Sequence, residues 1–398
     1  MSKQNKIYLD YAATTPVDPR VVKAMQPYWF DKFGNTASLH SFGIEAKEVV
    51  DKSRKIIADA LKANVKEIYF TSSATESNNL ALKGLAWANP AKKHIIVSSV
   101  EHDCVLTSAA WLEQQGYKLT VLKVDEYGMV KPKDVESAIT EDTLLVSIMH
   151  ANNEIGTIQP IIEIGKICKD KGVLFHTDAA QTFGKLPVDV NRMNINLLTA
   201  SAHKMYGPKG AALLYVRTGV KIKPILHGGG HENGLRSSTL NVPAIVGFAK
   251  AVEILNLPPV ETLHCNVSTM AKYENDRLIK LRDKLIKGIL KNVPDVKLNG
   301  HPKLRLPNNI NFRFKYIEGE GIIMLLDSLG IAASTASACS SPKLQPSHVL
   351  LACGLRPQDA HGSLRLSLGR WTTEEEIDKI LKILPEVVER LRKMSPFK

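Results

Sequence analysis

The chain has 398 residues, of which 44% are hydrophobic and 23% charged, with a formal net charge of +12. That length and balance predict a large core divided over two domains and exclude a low-complexity or disordered chain. There is no run of 18 apolar residues and no C-x-x-C pair among the five cysteines, and the basic residues are scattered, which argues against a membrane protein, a zinc or disulfide scaffold and a nucleic-acid binder.

The first residues, Met1-Ser2-Lys3-Gln4-Asn5-Lys6, are polar and run into Ile7-Tyr8-Leu9-Asp10 with no signal-type apolar region, so a cytoplasmic protein is expected. An amphipathic helix is predicted over 45–63, with Val49, Ser53, Ile56 and Ala60 on one stripe. Strands follow at 67–71, 94–98, 119–124, 143–149, 173–177, 197–201 and 211–216, many separated by helical stretches. Most are short, apolar and uninterrupted, which predicts an α/β domain with a mostly parallel sheet. Pro258-Pro259 breaks the pattern before a long helix over 273–293. Strand-like runs at 296–298, 309–314 and 330–333 and the capping box Thr373-Glu374-Glu375-Glu376 predict a smaller α+β domain ending in a helix.

Polar motifs fall just after the predicted strand ends, where open α/β sheets bind ligands. Lys204, in Ser201-Ala202-His203-Lys204-Met205-Tyr206-Gly207-Pro208, offers an amine for a Schiff base. Asp178 ends the apolar run Val173-Leu174-Phe175-His176-Thr177-Asp178 and offers a carboxylate to a pyridine nitrogen. Amine and carboxylate together are what pyridoxal phosphate requires. The plain alternatives are a displayed surface lysine and a helix cap. Thr71-Ser72-Ser73-Ala74-Thr75-Glu76 reads either as a phosphate cup at a helix N-terminus or as an ordinary N-cap. His102 could lie over a planar ring and shuttle a proton, or be structural. Arg365, on the predicted alternating strand Ser363-Leu364-Arg365-Leu366-Ser367-Leu368, could bind a carboxylate or pair with a surface acid. Cys339 sits in a Ser/Thr/Ala run without apolar periodicity, which suits a loop nucleophile better than a buried thiol. Cys168 and Cys353 suit the core, and Cys104 is ambiguous. Gly228-Gly229-Gly230 with Arg236-Ser237-Ser238-Thr239 is a weak phosphate signal.

In this order the motifs resemble the cysteine desulfurases of the NifS/IscS type, within the class V pyridoxal-phosphate aminotransferases. The resemblance runs from Tyr8-Leu9-Asp10-Tyr11-Ala12-Ala13-Thr14-Thr15 to the last helix and is carried most strongly by Ser201-Ala202-His203-Lys204-Met205-Tyr206-Gly207-Pro208-Lys209-Gly210. It implies an aspartate-aminotransferase-like fold, with a large domain over 15–257 and a small one made of 1–14 and 258–398. It implies a homodimer using L-cysteine. Lys204 would carry the cofactor and Asp178 would pair with its ring nitrogen. Gln181 and Asn153 would lie on the ring-hydroxyl side. Ala74, Thr75, Ser201 and His203 would hold the phosphate, with Thr239 from the other subunit. His102 would stack on the ring, and Arg365 with Asn153 would bind the substrate carboxylate. Cys339 would take the sulfur as a persulfide for an iron–sulfur scaffold or another acceptor, and is a candidate ligand to a cluster shared with that scaffold. No other metal site is expected. A selenocysteine lyase is the neighbouring alternative, and a non-catalytic sulfur-transfer assembly protein is the alternative of another class. Ser73, Ser238 and Ala336 stand where that family usually has glycine, and would be strained if those positions need positive φ.

Overall fold

Seven of the short apolar runs pair into one sheet in the computed structural model of the chain, which describes residues 6–256, 270–335 and 346–396. In spatial order the strands are Ile68–Thr71, Ala212–Val216, Leu197–Ser201, Leu174–Asp178, Thr143–Ser147, His94–Ser98 and Lys118–Leu122. The run from Leu197–Ser201 to Lys118–Leu122 is parallel throughout. Ala212–Val216 is antiparallel to both of its neighbours. His94–Ser98, Thr143–Ser147, Leu197–Ser201 and Ala212–Val216 are buried at every position, because helices cover both faces.

Strand ends differ from expectation where side chains intervene. Glu67 closes a short 3-10 turn capped by Asn64 instead of starting a strand. The run expected over 143–149 stops at Ser147, and the Met149 N–H turns to donate to Glu101 Oε1 at 2.9 Å. The first long helix spans Ser41–Leu61 and buries Ala46, Val50, Ser53, Ile57 and Leu61. The expected stripe through Val49, Ile56 and Ala60 is only partly buried and flanks that face.

A second core surrounds an antiparallel sheet of Ser363–Ser367, Asn309–Phe314 and Val296–Leu298. Helices Met270–Asn292 and Glu374–Met394 pack on it, and Thr373 and Glu376 form the expected capping box. Ile7 and Leu9 belong to this core, and Ile7–Tyr8 pairs in parallel with Ile331–Ala332. Phe312 lies fully buried at its centre, so Phe312→Ala is expected to cost about 3–5 kcal/mol. Denaturant unfolding of the parent and variant would measure that loss, and a cost under about 1 kcal/mol would contradict this packing. Among the described residues, no helix is long and apolar enough to cross a membrane.

The N-terminal segment joins the two cores. Asp10 bridges to Ser367, and the Ala12 N–H donates to Ser367 Oγ at 2.8 Å. The Thr15 N–H then donates to the His203 carbonyl at 2.9 Å. Residues 12–15 therefore lie across the carboxyl edge of the large sheet.

Candidate active site

Lys204 closes a 3-10 turn, Ala202–Lys204, just past the strand Leu197–Ser201. The turn is tightly fixed. The Gly207 N–H donates to the Ala202 carbonyl at 3.0 Å, and a Cβ on Gly207 would lie 2.8 Å from Ala202 Cβ. Tyr206 takes φ +66 with its N–H on Thr15 Oγ1 at 2.8 Å, and its hydroxyl accepts from the Arg370 N–H at 2.7 Å. Lys204 itself is part-buried, and Nζ donates to the carbonyls of Ala12 at 2.7 Å and Ala13 at 2.6 Å. It is not a lysine displayed at a strand end.

Asp178 ends the neighbouring strand and is only 6% exposed, so it is not a solvent-facing cap. Its Oδ1 accepts from the Ala180 N–H at 2.8 Å and its Oδ2 from Asn78 Nδ2 at 2.7 Å. Among the described residues no Lys, Arg or His forms an ion pair with it. A buried carboxylate with only neutral donors retains strong affinity for a cationic N–H. Asn78 Oδ1 is buried with no partner among the described residues.

Asn78 also reaches Cys104, its Nδ2 lying 3.1 Å from Sγ. The thiol sits 3.1 Å from His102 Nδ1, which also accepts the Cys104 N–H at 3.2 Å. Burial, reinforced by the charge of Asp178, pushes the Cys104 thiol up to about 12, against hydrogen bonds from Asn78 and Thr75. Thr75, His102, Cys104 and Asp178 thus converge from three elements. Cys104 stays a neutral thiol, which counts against it as a nucleophile.

Ser73 is the N-cap of helix Ala74–Asn79, accepting the Glu76 N–H at 3.1 Å. That is the plain alternative for this motif, and it is compatible with the other. The cap occupies Glu76 and leaves the amides of Ala74 and Thr75 at the turn with no intrahelical partner. Ser73 has φ −160, an extended value, and Ser238 is absent from the positive-φ residues, so neither is strained by lacking glycine's freedom. Arg236 ties the Gly-rich segment to this helix through Glu76, at 2.7 Å. Thr239 is exposed.

Gln181 follows Asp178 by one turn, and Nε2 donates to the Ala12 carbonyl at 3.0 Å. Lys204 and Gln181 therefore share an acceptor. Ser201 is buried at the strand end. His203 Nδ1 lies 3.1 Å from Thr14 Oγ1. Burial, with Lys204, Lys209 and Lys185 nearby, holds His203 down to about 4, so the ring is neutral. Asn153 is part-buried, and its carbonyl accepts from Arg365 Nη1 at 3.3 Å. Arg365 is buried and also pairs with Asp10 at 2.8 Å, while its Nε has no partner among the described residues. The acid that pairs with Arg365 is therefore in the site, not on a remote surface. Cys339, Ala336 and the Pro258-Pro259 break lie outside the described residues.

Two buried acids stand behind these groups. Glu101 accepts from Ser98 Oγ at 2.5 Å and the Met149 N–H at 2.9 Å, and burial lifts it from 4.5 to about 8. Burial likewise lifts Glu154, which accepts from Ser347, to about 7. A raised pKa means the folded state holds a proton that the unfolded state has released. Stability from Glu101 is then full below 4.5 and lost as pH rises toward about 8, at up to about 1.4 kcal/mol per unit. Glu101→Gln cannot titrate. Its melting temperature relative to the parent is expected to rise steadily from pH 5 to pH 8, and a constant difference would contradict the assignment.

The sequence did not mark Asn78, Asp10, the carbonyls of Ala12 and Ala13, or Lys185. Asp10 stood inside a motif already noted and Asn78 two residues past one, but only the folded chain shows whom they bind.

Residues 7–380 match the family model described as aminotransferase class-V. The chain is 53% identical over 398 residues to the cysteine desulfurase IscS of Methanosarcina thermophila, covering 100% of this chain and 95% of the relative. It is 52% identical to cysteine desulfurase IscS 1 of Archaeoglobus fulgidus, over 98% of each. A solved structure of a NifS-like protein superposes with TM-score 0.88 at 39% identity, over 97% of this chain and 100% of that one. The structure of SspA in complex with cysteine superposes with TM-score 0.79 at 37% identity, over 92% and 100%.

Proposed function

The chain belongs to the class-V aminotransferase family, and from that premise we propose that it is a cysteine desulfurase, converting L-cysteine to L-alanine and passing the sulfur through Cys339. Its fold is the α/β fold of the NifS-like pyridoxal-phosphate-dependent transferases. The observation that carries the reading is the meeting of Lys204 and Asp178 at one sheet edge, the amine on backbone carbonyls and the carboxylate buried with no ion pair among the described residues.

That pair fits pyridoxal phosphate, as do the orphaned Asn78 Oδ1 and the turn amides. When bound, the cofactor supplies an aldehyde that joins an amine and a ring that accepts the electron pair released at the substrate Cα. Asp178 would hold the ring nitrogen, and Gln181 and Asn153 the ring-hydroxyl side. Ala74, Thr75, Ser201 and His203 would hold the phosphate, with Thr239 from a second copy. Neutral His203 can donate one N–H. Arg365, its Nε still unpaired, would take the substrate carboxylate together with Asn153. Lys204 would carry the proton at Cα and His102 would serve the departing sulfur.

The Cys339 thiolate attacks the substrate sulfur, forming an S–S bond as the C–S bond breaks. The carbon keeps the electron pair and gains a proton, leaving alanine and a Cys339 persulfide. No outside oxidant is needed. An iron–sulfur scaffold or another acceptor protein would then take the sulfur, and Cys339 could share a cluster with such a scaffold.

A homodimer is part of the proposal. Phe30, Phe33 and Leu39 are exposed, and the rings of Phe33 and Phe42 lie 5.6 Å apart, an apolar cluster suited to a second copy. A cytoplasmic setting accords with the free thiols Cys104, Cys168 and Cys353. Incubating the cofactor-loaded protein with L-cysteine and a thiol reductant tests the reading. Equimolar alanine and sulfide are expected. Rapid turnover of selenocysteine with none of cysteine would favour the lyase alternative. A protein that takes up no cofactor would favour a non-catalytic assembly role.

A further inference from the structure

Asp10 is an acid inside the site, and the reaction above gives it no role. It follows the short strand Ile7–Tyr8, which pairs with Ile331–Ala332, and its own backbone bridges to Ser367. The Tyr8 hydroxyl donates to the Asp10 carbonyl at 3.0 Å and to the Thr14 carbonyl at 3.1 Å, which fixes the turn that follows. Arg365 stands two residues before Ser367 on the strand Ser363–Ser367, on the same face of it. Its backbone exchanges hydrogen bonds with Ser334 at 2.7 and 3.2 Å. Both backbones are therefore held in place where the two side chains meet.

Arg365 Nη2 donates to Asp10 Oδ1 at 2.8 Å, and Nη1 donates to the Asn153 carbonyl at 3.3 Å. The Arg365 side chain is 3% exposed and that of Asp10 20%. A guanidinium carries five N–H donors, so these two bonds leave others for a second anion. Among the described residues Nε has no partner. Arg365 can therefore take a carboxylate without releasing Asp10.

Asp10 and Arg365 form a neutral pair, and among the described residues no second cation pairs with Asp10. Glu154 also feels the charge of Arg365, but its carboxyl is engaged by Ser347. A substrate carboxylate arriving at Arg365 thus puts two anions on one cation. Two carboxylates held by one planar guanidinium lie within about 8 Å of each other, a range at which like charges in a part-buried site repel appreciably.

We propose that Asp10 is a positioning residue for Arg365 that also offsets its charge, so that amino acid carboxylates are held loosely. This rests on the reading of Arg365 as the group that binds the substrate carboxylate. L-Cysteine and L-alanine carry the same carboxylate, so an arginine without a counter-charge would grip product as firmly as substrate. Asp10 keeps the guanidinium oriented while weakening its pull, and so lets alanine leave.

The test uses the cofactor-loaded protein and follows amine ligands by the change in visible absorbance. L-Alanine carries the carboxylate and ethylamine lacks it. Asp10→Asn keeps an oxygen for Arg365 Nη2 and removes the charge. Its dissociation constant for L-alanine and its KM for L-cysteine are expected to fall by about tenfold, with ethylamine affinity near that of the parent. Loss of a merely structural contact would weaken alanine binding instead. Unchanged or weaker alanine binding in Asp10→Asn would overturn the proposal, as would an equal gain for ethylamine. If Asp10→Asn does not fold, Asp10→Ser, which also removes the charge, decides in the same way. Arg365→Gln tests the premise separately and is expected to weaken alanine binding by at least about tenfold. Parental alanine affinity in Arg365→Gln would overturn the reading of Arg365. A loss there with no gain in Asp10→Asn would overturn the Asp10 proposal alone.

Discussion

Replacing Lys204 with alanine is expected to abolish alanine release from L-cysteine, lowering the rate by at least about 10³-fold, since both a covalent amine and a proton carrier are lost. The fold should survive. Lys204 is part-buried at the end of a 3-10 turn, and its removal frees the carbonyls of Ala12 and Ala13 at a site edge, not in a core. Two readouts separate the outcomes. Borohydride treatment of the parent loaded with pyridoxal phosphate should fix a pyridoxyl group on Lys204. The variant should show none, with a melting temperature within a few degrees of the parent. A pyridoxyl group fixed on Lys185 in the parent would reassign the reactive amine to the other part-buried lysine.

The second large effect is expected at Asp178. Asp178→Asn keeps the shape and leaves the Ala180 N–H an acceptor, but removes the buried negative charge. Removing one partner of a buried charge pair costs about 3–5 kcal/mol, so cofactor affinity and turnover together should fall by at least about 10²-fold. Asn78 gives the change a further signature. Its Nδ2 now donates to a carboxylate at 2.7 Å and would then face an amide whose orientation is not fixed. Equilibrium binding of pyridoxal phosphate, followed by absorbance, measures the loss. Parental affinity with parental turnover would remove Asp178 from the site.

What could be read in the sequence, and what could not, follows from the range of the interactions. The strands of the large sheet were visible as short apolar runs because helices cover both faces, and His94–Ser98 and Leu197–Ser201 fall on their expected bounds. Strand ends were less visible, because side chains such as Asn64 and Glu101 decide them. In the helix Ser41–Leu61 the period was right and the face was off by one residue, since Val50 and Ile57 are buried more deeply than Val49 and Ile56. Lys204 and Asp178 stood out because charged residues at the ends of buried strands are rare. Their partners did not. The carbonyls of Ala12 and Ala13 have no sequence signature, and the Asp10–Arg365 pair spans 355 residues. Lys185 reads in sequence as one more scattered lysine, and only its hydrogen bond to the Gln181 carbonyl distinguishes it.

The most direct measurement gives the cofactor-loaded protein a single pulse of L-cysteine without reductant, then blocks thiols and maps the modified peptides by mass spectrometry. The account predicts about one alanine per site and one extra sulfur atom on Cys339. Cys339→Ala should keep its yellow cofactor and release no alanine. Alanine at the parental rate from Cys339→Ala, or the extra sulfur on Cys104, would contradict it.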